Sequence, residues 1–238
     1  MAQFHFVEDY ERLIQRLVAE HPIDEAMALA VGGGDFAIFG QMEAEIVKAA
    51  GLADGMRIVD LGCGSGRLAC ALHKSSSVFY VGIDIIQPLL DYAKTKAPGY
   101  LFVMNRGLSI PQADQTVDMV SAFSLFTHLL HAETYVYLQE CVRVLKPGGC
   151  VVFSFLEFSD PSHWTIFENT ASNARHSVGD HLNAFIDRES IGLWAAKLGL
   201  VPEKFHDSTV TWSGHALGQS IAVLRKPGAG HDVSPAPA

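Results

Sequence analysis

The chain has 238 residues, of which 49% are hydrophobic and 18% charged, which is enough to bury the core of one domain with additional elements. Its formal net charge of −9 argues against a nucleic-acid partner, because such proteins need a basic surface, and favours a small-molecule partner. No apolar run of about 18 residues occurs, so we expect no membrane span and no membrane partner.

The two ends of the chain and the cysteines give further expectations. The N-terminal residues Met1–Phe6 lack a basic region followed by an apolar stretch, so we expect no signal peptide. The four cysteines form no C-x-x-C pair, which indicates reduced thiols in a cytoplasmic protein. No cluster of residues has metal-ligand spacing, so we expect no metal. Residues 227–238 are rich in Pro and Gly and are predicted to be a disordered tail.

The first 45 residues predict a helical cap. Asp9–Glu20 carries its apolar residues on one helical stripe. Gly32–Gly40 begins with three consecutive glycines, carries Phe36 and Phe39 and predicts a flexible flap. This flap is either a lid that brings both aromatic rings to the substrate or a simple linker between helices. We expect residues 1–45 to form the cap.

The stretch Arg57–Leu68 reads R-I-V-D-L-G-C-G-S-G-R-L. Ile58–Leu61 predicts a buried strand, the glycines at 62, 64 and 66 predict a turn, and a helix is expected from Arg67. Such a turn brings backbone N–H groups close to a nucleotide-like ligand. A plain tight turn between a strand and a helix is the alternative.

Two details argue against the plain turn. Asp60 lies near the end of a buried strand, where a carboxylate is costly unless an amide or ammonium group binds it. The third glycine comes one residue earlier than in the dinucleotide pattern G-x-G-x-x-G. The stretch V-D-L-G-C-G-S-G-R resembles motif I of the class I S-adenosylmethionine (SAM)-dependent methyltransferases. The resemblance implies SAM as cofactor, with Asp60, Gly62, Cys63 and Gly64 in its site.

The next strand, Val78–Asp84, ends in an acid 22 residues beyond Gly62. An acid at this point accepts hydrogen bonds from both hydroxyls of a ribose, in SAM and in NAD alike. The alternative is that Asp84 caps the following helix. If Asp84 binds the ribose, Ile85 is expected to lie against the adenine.

The segment after the third strand, 101–104, departs from the family's pattern. Arg106 stands where the methyltransferases carry the acid that binds the adenine amino group, and arginine has no acceptor atom. Asn105 or a backbone carbonyl is therefore expected to replace it. Gly107 and Leu108 complete this part of the cofactor site.

The fourth strand, 117–123, brings Phe123 and Ser124 to the carboxyl edge of the sheet, where ligands of open α/β sheets bind. His128 follows in a D-x-V-x-x-x-x-x-x-x-H-L pattern that resembles the family's. It has two interpretations, a general base or a packed histidine that holds the loop.

The turn L-K-P-G-G at 145–149, before a strand at 150–155, is a second hallmark that resembles the methyltransferases. Two further strands are predicted at 200–205 and 215–224. The resemblance implies an α/β fold, a seven-stranded mostly parallel sheet with flanking helices and an antiparallel last strand, as a SAM-binding domain over 46–226.

An insert at 157–187 is rich in aromatic and polar residues. It leaves the carboxyl end of the fifth strand and is expected to wall the substrate pocket with Phe158, Trp164 and His181. A surface excursion with its own small core is the alternative. His181 is, with His176, a further candidate base.

The function expected from these features is transfer of the methyl group of SAM to an O, N or C nucleophile of a small molecule, with S-adenosylhomocysteine as product. Two alternatives remain open. An NAD(P)-dependent reductase shares the sheet and the ribose acid, and a non-catalytic SAM-binding regulatory or scaffold protein would explain Arg106. The sequence indicates neither the acceptor nor the oligomeric state.

Overall fold

The structure is a computed structural model that describes residues 7–176 and 182–228, with side chains from residue 10 onward. The strands are β1 (Arg57–Leu61), β2 (Phe79–Asp84), β3 (Leu101–Met104), β4 (Val117–Ala122), β5 (Leu145–Phe155), β6 (Val201–His206), β7 (Thr211–Trp212), β8 (His215–Ala216) and β9 (Ser220–Arg225). The helices are α1 (Val7–Glu20), α2 (Ile23–Leu29), α3 (Phe36–Ala49), α4 (Arg67–Ser75), α5 (Gln87–Lys96), α6 (His131–Val144), α7 (Pro161–Arg175) and α8 (Arg188–Leu198), with a 3₁₀ turn at Phe126–His128.

Seven strands form one sheet in the order β3-β2-β1-β4-β5-β9-β6. Strands β1 to β5 run parallel, and β9 pairs antiparallel with both β5 and β6. The predicted seven-stranded, mostly parallel sheet with flanking helices is confirmed. The strand order reverses between β1 and β4, and this is the point of an open α/β sheet where ligands bind.

Both faces of the sheet are covered, since successive side chains of a strand point to opposite sides. Val59 and Leu61 join a core with residues of α1, α2, α5, α6 and α8. Ile58 joins a second core with residues of α3 and α4. Burial on both faces explains why the central strands read as nearly continuous apolar runs. Among the described residues, none of the helices combines the length and apolarity needed to cross a membrane.

The segment predicted as a flap at 32–40 ends earlier in the structure, at Asp35. Helix α3 begins at Phe36, because the Asp35 carboxylate accepts hydrogen bonds from the amides of Ala37 and Ile38, each at 2.9 Å. A Cβ at Gly40 would lie 2.5 Å from the carbonyl oxygen of Arg67, so glycine there permits close packing of α3 on α4. The prediction that the flap reaches residue 40 was wrong, and α3 also runs through the expected cap boundary at residue 45.

The C-terminal part contains two elements that the sequence did not indicate. Helix α7 lies inside the insert and begins where the carboxylate of Asp160 accepts from the amide of Ser162 at 2.8 Å. The small hairpin β7–β8 separates β6 from β9, so the strand predicted at 215–224 begins only at Ser220. Residues 229–238, most of the predicted tail, lie outside the described residues.

Candidate functional site

The glycine-rich loop between β1 and α4 lies at the carboxyl edge of the sheet. Its amides at Gly62 and Cys63 both donate to the carbonyl oxygen of Ile83, at 2.8 and 3.1 Å, which ties the loop to β2. Gly64 and Gly66 have φ angles of 53° and 86°, a region that side chains disfavour. A Cβ at Gly64 would lie 2.6 Å from Val31, and one at Gly66 would lie 2.7 Å from Ala93. The backbone here requires glycine for conformation and for space.

Asp84 joins the loop after β1 to the loop after β2. One carboxylate oxygen accepts from the amide of Gly64 at 2.9 Å, and the other accepts from Ile85 and Ile86 at 2.7 and 3.0 Å. Burial raises the pKa of Asp84, and the three amides oppose this shift because they bind the charged form. A carboxylate has about four acceptor positions, so Asp84 keeps room for a hydroxyl donor. Its contacts at Ile85 and Ile86 precede α5, whose N-terminus has no side-chain cap, and the ribose role of Asp84 stays a prediction.

Asp60 is bound by hydroxyl groups and not by the amide or ammonium group that the sequence suggested. It accepts from Tyr80 at 2.5 Å and from Ser121 at 2.8 Å, both on neighbouring strands. Burial raises the pKa of Asp60 to about 6, while the two hydroxyl groups act in the opposite direction. The carboxyl group therefore lies inside the packed face beneath α3.

A second buried acid, Glu43 of α3, was missed in the sequence. It is 8% exposed, and burial followed by the charge of Asp60 raises its pKa to about 8. The nearby cation of Arg67 lowers that pKa only in part. The sequence M-E-A-E-I at 42–46 places Glu43 between the apolar residues Met42 and Ala44, on the face of α3 that packs on the sheet. This position was the available signal of a buried acid.

The loop after β3 binds itself and the N-terminal helix. The Asn105 side chain accepts from the amide of Gly107 at 3.1 Å and donates to the carbonyl of Ser109 at 2.6 Å. Arg106 donates to the carbonyl oxygen of Ile85 at 3.2 Å and forms an ion pair with Glu11 of α1. Both side chains thus have intramolecular partners. Leu108 packs against the core on the α1 side.

Phe123 and Ser124 lie at the end of β4, as expected. Phe123 is buried, while Ser124 is exposed with φ at 53°. The Ser124 amide donates to the hydroxyl of Ser154 at 2.7 Å, and its hydroxyl donates to Gln219 at 3.2 Å. Ser124 therefore links the exits of β4 and β5 to the loop before β9.

His128 contacts backbone. Its Nδ1 lies 2.8 Å from the carbonyl oxygen of Leu182, and Nε2 of His131 lies 2.9 Å from that of Phe185. These two histidines bind the C-terminal end of the insert. This contact favours the interpretation of His128 as a packed histidine. His181, the other candidate base, lies outside the described residues.

The expected pocket aromatics lie in two separate clusters. Phe36 packs edge-on against Tyr92 at 6.3 Å, and Phe39 lies under the guanidinium of Arg67 at 4.7 Å. The second cluster belongs to the insert. Phe158 stacks on Phe185 at 4.8 Å and Trp164 lies 5.2 Å from Phe167. The described ring contacts do not bring the two groups together.

Two cavities lie away from the glycine-rich loop. One, of about 290 Å³, lies between α3 and α4 and is lined by Phe36, Lys48 and Cys70 among others. The other, of about 800 Å³, is a polar depression beside Glu157 and Arg188. In the described part of the chain, no group of three or more His, Cys, Asp or Glu side chains is placed to hold a metal ion.

Comparison with known proteins finds a family match in the central region of the chain. Residues 59–153 match a protein family described as "Methyltransferase domain". The 27-O-demethylrifamycin SV methyltransferase of Amycolatopsis mediterranei is 26% identical over 163 residues, which are 66% of this chain and 58% of that protein. The matched segments span from 36% to 58% of the length of the first four curated relatives.

Solved structures show the same fold over nearly the whole chain. A TehB-like SAM-dependent methyltransferase from Corynebacterium glutamicum is 20% identical with a TM-score of 0.58, covering 93% of this chain and 97% of that one. The [4+2]-cyclase SpnF is 16% identical with a TM-score of 0.64, covering 93% of this chain and 94% of that one. At this identity the likeness concerns the fold alone.

The residues at the carboxyl edge fit an adenosyl cofactor. The loop between β1 and α4 is built from glycines whose space a Cβ would fill, and Asp84 keeps an acceptor position for a sugar hydroxyl. The family match begins at Val59 and includes both features. Residues 59–153 match the methyltransferase-domain family, and the chain shares its fold with a SAM-dependent methyltransferase of known structure.

Proposed function

We propose that this protein transfers the methyl group of SAM to an O, N or C nucleophile of a small molecule. The observation that carries the proposal is Asp84, which binds the amide of Gly64 and thereby fixes the glycine-rich loop beside an acceptor for a sugar. Two relatives, named 27-O-demethylrifamycin SV methyltransferase and ubiquinone biosynthesis O-methyltransferase, support a small acceptor. The four cysteines are free thiols, which supports a cytoplasmic location.

In the proposed site, the ribose hydroxyls would donate to Asp84, and Ile85 would lie against the adenine. The other residues assigned to the cofactor are Asp60, Gly62, Cys63, Gly64, Asn105, Gly107, Leu108, Phe123 and Ser124. Asp60 would act indirectly, because its carboxyl group is bound to Tyr80 and Ser121. Arg106 has no acceptor atom and donates to Ile85, and the side-chain oxygen of Asn105 accepts from the amide of Gly107. The adenine amino group would therefore need another acceptor.

When bound, SAM supplies a methyl group that its sulfonium already activates. The protein then has to hold the acceptor in line and exclude water, which together account for much of the rate in such transfers. A base is needed only if the acceptor must lose a proton. We assign His128 mainly to holding the C-terminal end of the insert, because its Nδ1 contacts the carbonyl of Leu182.

The acceptor would lie between the N-terminal cap and the insert. Helices α1 and α2 contribute to the same core as β1, and the insert leaves β5 beside the loop after β4. Phe158 and Trp164 are 41% and 44% exposed, so they offer aromatic surface to a ligand. Phe36 and Phe39 would contribute from the cap side.

The direct test is formation of S-adenosylhomocysteine from SAM in the presence of pooled small O, N and C nucleophiles. We expect product above the rate without acceptor, and none from Asp84→Ala. Asp91→Ala, which changes an exposed acid of α5, is the matched control and should retain activity. Binding of SAM without turnover in any acceptor class would contradict the proposal and favour the regulatory or scaffold alternative.

A further inference from the structure

Arg67, the first residue of α4, binds the end of α2. Its guanidinium donates to the carbonyl oxygens of Val31 at 2.9 Å, Ala28 at 3.3 Å and Gly33. The last carbonyls of a helix have no partner within it and carry the negative end of its dipole. A cation at this point is therefore stabilising, and a half-buried one more so than an exposed one.

Two more side chains bind the same turn. Ser65, in the glycine-rich loop, donates to the carbonyl of Met27 at 2.9 Å, and Tyr10 of α1 donates to that of Ala30 at 2.6 Å. With the three bonds from Arg67, five carbonyls between residues 27 and 33 are bound by side chains. We call residues 7–33 the cover.

The cover lies directly on the glycine-rich loop. A Cβ at Gly64 would meet Val31 at 2.6 Å, and residues 63–66 are all buried in this arrangement. The end of α2 therefore covers this loop on the side of Gly64. The same segment that fits the cofactor is thus the one that the cover closes.

The hinge of the cover lies at Gly32–Gly34. These glycines have φ angles of 93°, 72° and 77°, and glycine changes between such conformations at little steric cost. Helix α3 on the other side is fixed by Asp35 at its start and by the close packing of Gly40 on α4. Rotation of the cover against the body is therefore concentrated between α2 and α3.

The remaining charged contacts of the cover lie nearer the surface. Glu11 pairs with Arg106, and Asp24 pairs with Lys96 at 2.9 Å. The Asp24 side chain is 69% exposed, and exposed ion pairs contribute little to stability. Arg67, in contrast, connects the cover to the start of α4, directly after the glycine-rich loop.

We propose that Arg67 is the latch of the cover, and that its release sets the rate at which the cofactor enters and leaves. The inference rests on the proposed function, because it takes the glycine-rich loop as the cofactor's site. It assigns to Arg67 a gating role and not a contact with the cofactor. A gate that closes equally over the empty and the occupied site changes association and dissociation together and leaves the equilibrium affinity nearly constant, whereas a lost contact changes mainly dissociation.

The test is Arg67→Lys, which keeps the charge but cannot bridge three carbonyls. The matched control is Arg225→Lys, since Arg225 also donates to two backbone carbonyls, of Gly148 and Ala50, away from the cover. Amide hydrogen exchange of the ligand-free protein reports on the cover, and stopped-flow kinetics report on S-adenosylhomocysteine. We expect exchange over residues 23–33 to be about tenfold faster, both rate constants to rise about fivefold, and the dissociation constant to change less than threefold.

Unchanged exchange and unchanged rates in Arg67→Lys would overturn the latch. Faster dissociation with unchanged association would assign Arg67 to the cofactor itself and also overturn it. If S-adenosylhomocysteine fails to bind the wild type, the proposed function fails, while the exchange data still decide whether Arg67 holds the cover. Should Arg67→Lys not fold, Tyr10→Phe removes the hydrogen bond to the carbonyl of Ala30 in the same turn and should accelerate exchange and both rates about twofold; no acceleration would count against the latch.

Discussion

Asp60 and Glu43 are acids buried on one face of the sheet, and their pKa values lie above the ordinary range, at about 6 and about 8. Burial is the main cause for both, because it penalises the charged form. A folded-state pKa above the unfolded one means that the folded protein binds the proton more tightly. Each protonated carboxyl group therefore contributes to the stability of the folded protein. This contribution is fully present below about pH 4 and is lost as the pH rises through 6 for Asp60 and through 8 for Glu43.

Replacing Glu43 by Gln should remove the part of this loss of stability that occurs as the pH rises towards 8. The wild type should lose unfolding free energy between pH 6 and pH 9, and Glu43→Gln should lose less, since each unit of pKa shift corresponds to about 1.4 kcal/mol. The measurement is urea unfolding at both pH values. Glu45→Gln, an exposed acid on the same helix, is the control and should follow the wild type. A Glu43→Gln variant with the wild-type pH dependence would show that Glu43 is charged at neutral pH.

His128 provides the second prediction at this scale. Because its Nδ1 contacts backbone at Leu182, we expect His128→Ala to lower stability by about 1 kcal/mol. Turnover should fall less than tenfold, and affinity for S-adenosylhomocysteine should remain. A loss of several orders of magnitude in turnover, with affinity unchanged, would instead make His128 the general base.

At the scale of elements, the strands and their order follow from local patterns. The predicted strand at 101–104 coincides with β3, and the strand predicted at 117–123 differs from β4 by one residue, because apolar runs are local signals. The flap predicted at 32–40 included the first five residues of α3. The start of this helix depends on the cap of Asp35, which the run of glycines before it obscured.

The parts that could not be predicted depend on contacts between distant residues. The partners of Asp60 are 20 and 61 residues away in the chain, and Glu43 meets that acid only after α3 packs on β1. Likewise, nothing local shows that Arg67 binds the end of α2, 34 to 39 residues earlier. Motif spacing identified the glycine-rich loop but not what covers it.

The insert is held to the body by an ion pair. Glu157, at the exit of β5, is 3% exposed and accepts hydrogen bonds from Arg188 at the start of α8, the shortest at 2.7 Å. Ser220 of β9 donates to the same carboxylate at 2.5 Å. These contacts join β5, α8 and β9 at the base of the insert.

Removing the cation should leave a buried, uncompensated carboxylate. We expect Arg188→Gln to lower the unfolding free energy by about 2–3 kcal/mol, and Glu157→Gln in addition to restore part of it. Urea unfolding of the two variants and the double variant gives the coupling. The control is Glu203→Gln, which breaks an exposed pair with Arg225 and should cost at most about 0.5 kcal/mol. Equal effects of Arg188→Gln and Glu203→Gln would contradict this account.

At the scale of the whole molecule, the sheet brings the loops after β1, β2, β3 and β4 to one edge, and the cover closes that edge from the N-terminal side. The acid of Asp84 and the glycine-rich loop come from successive strands and meet there. The central claim is that this edge binds SAM and not a nicotinamide cofactor.

The most direct measurement is a thermal-shift titration with SAM, S-adenosylhomocysteine, NADH and NADPH in parallel, on the wild type and on Asp84→Ala. A ligand that binds only the folded state adds about 2.7 kcal/mol at a hundredfold excess over its dissociation constant. We predict that both sulfur ligands raise the melting temperature of the wild type, that the nicotinamides do not, and that Asp84→Ala loses the effect. Stabilisation by a nicotinamide alone, or by none of the four ligands, would contradict the account.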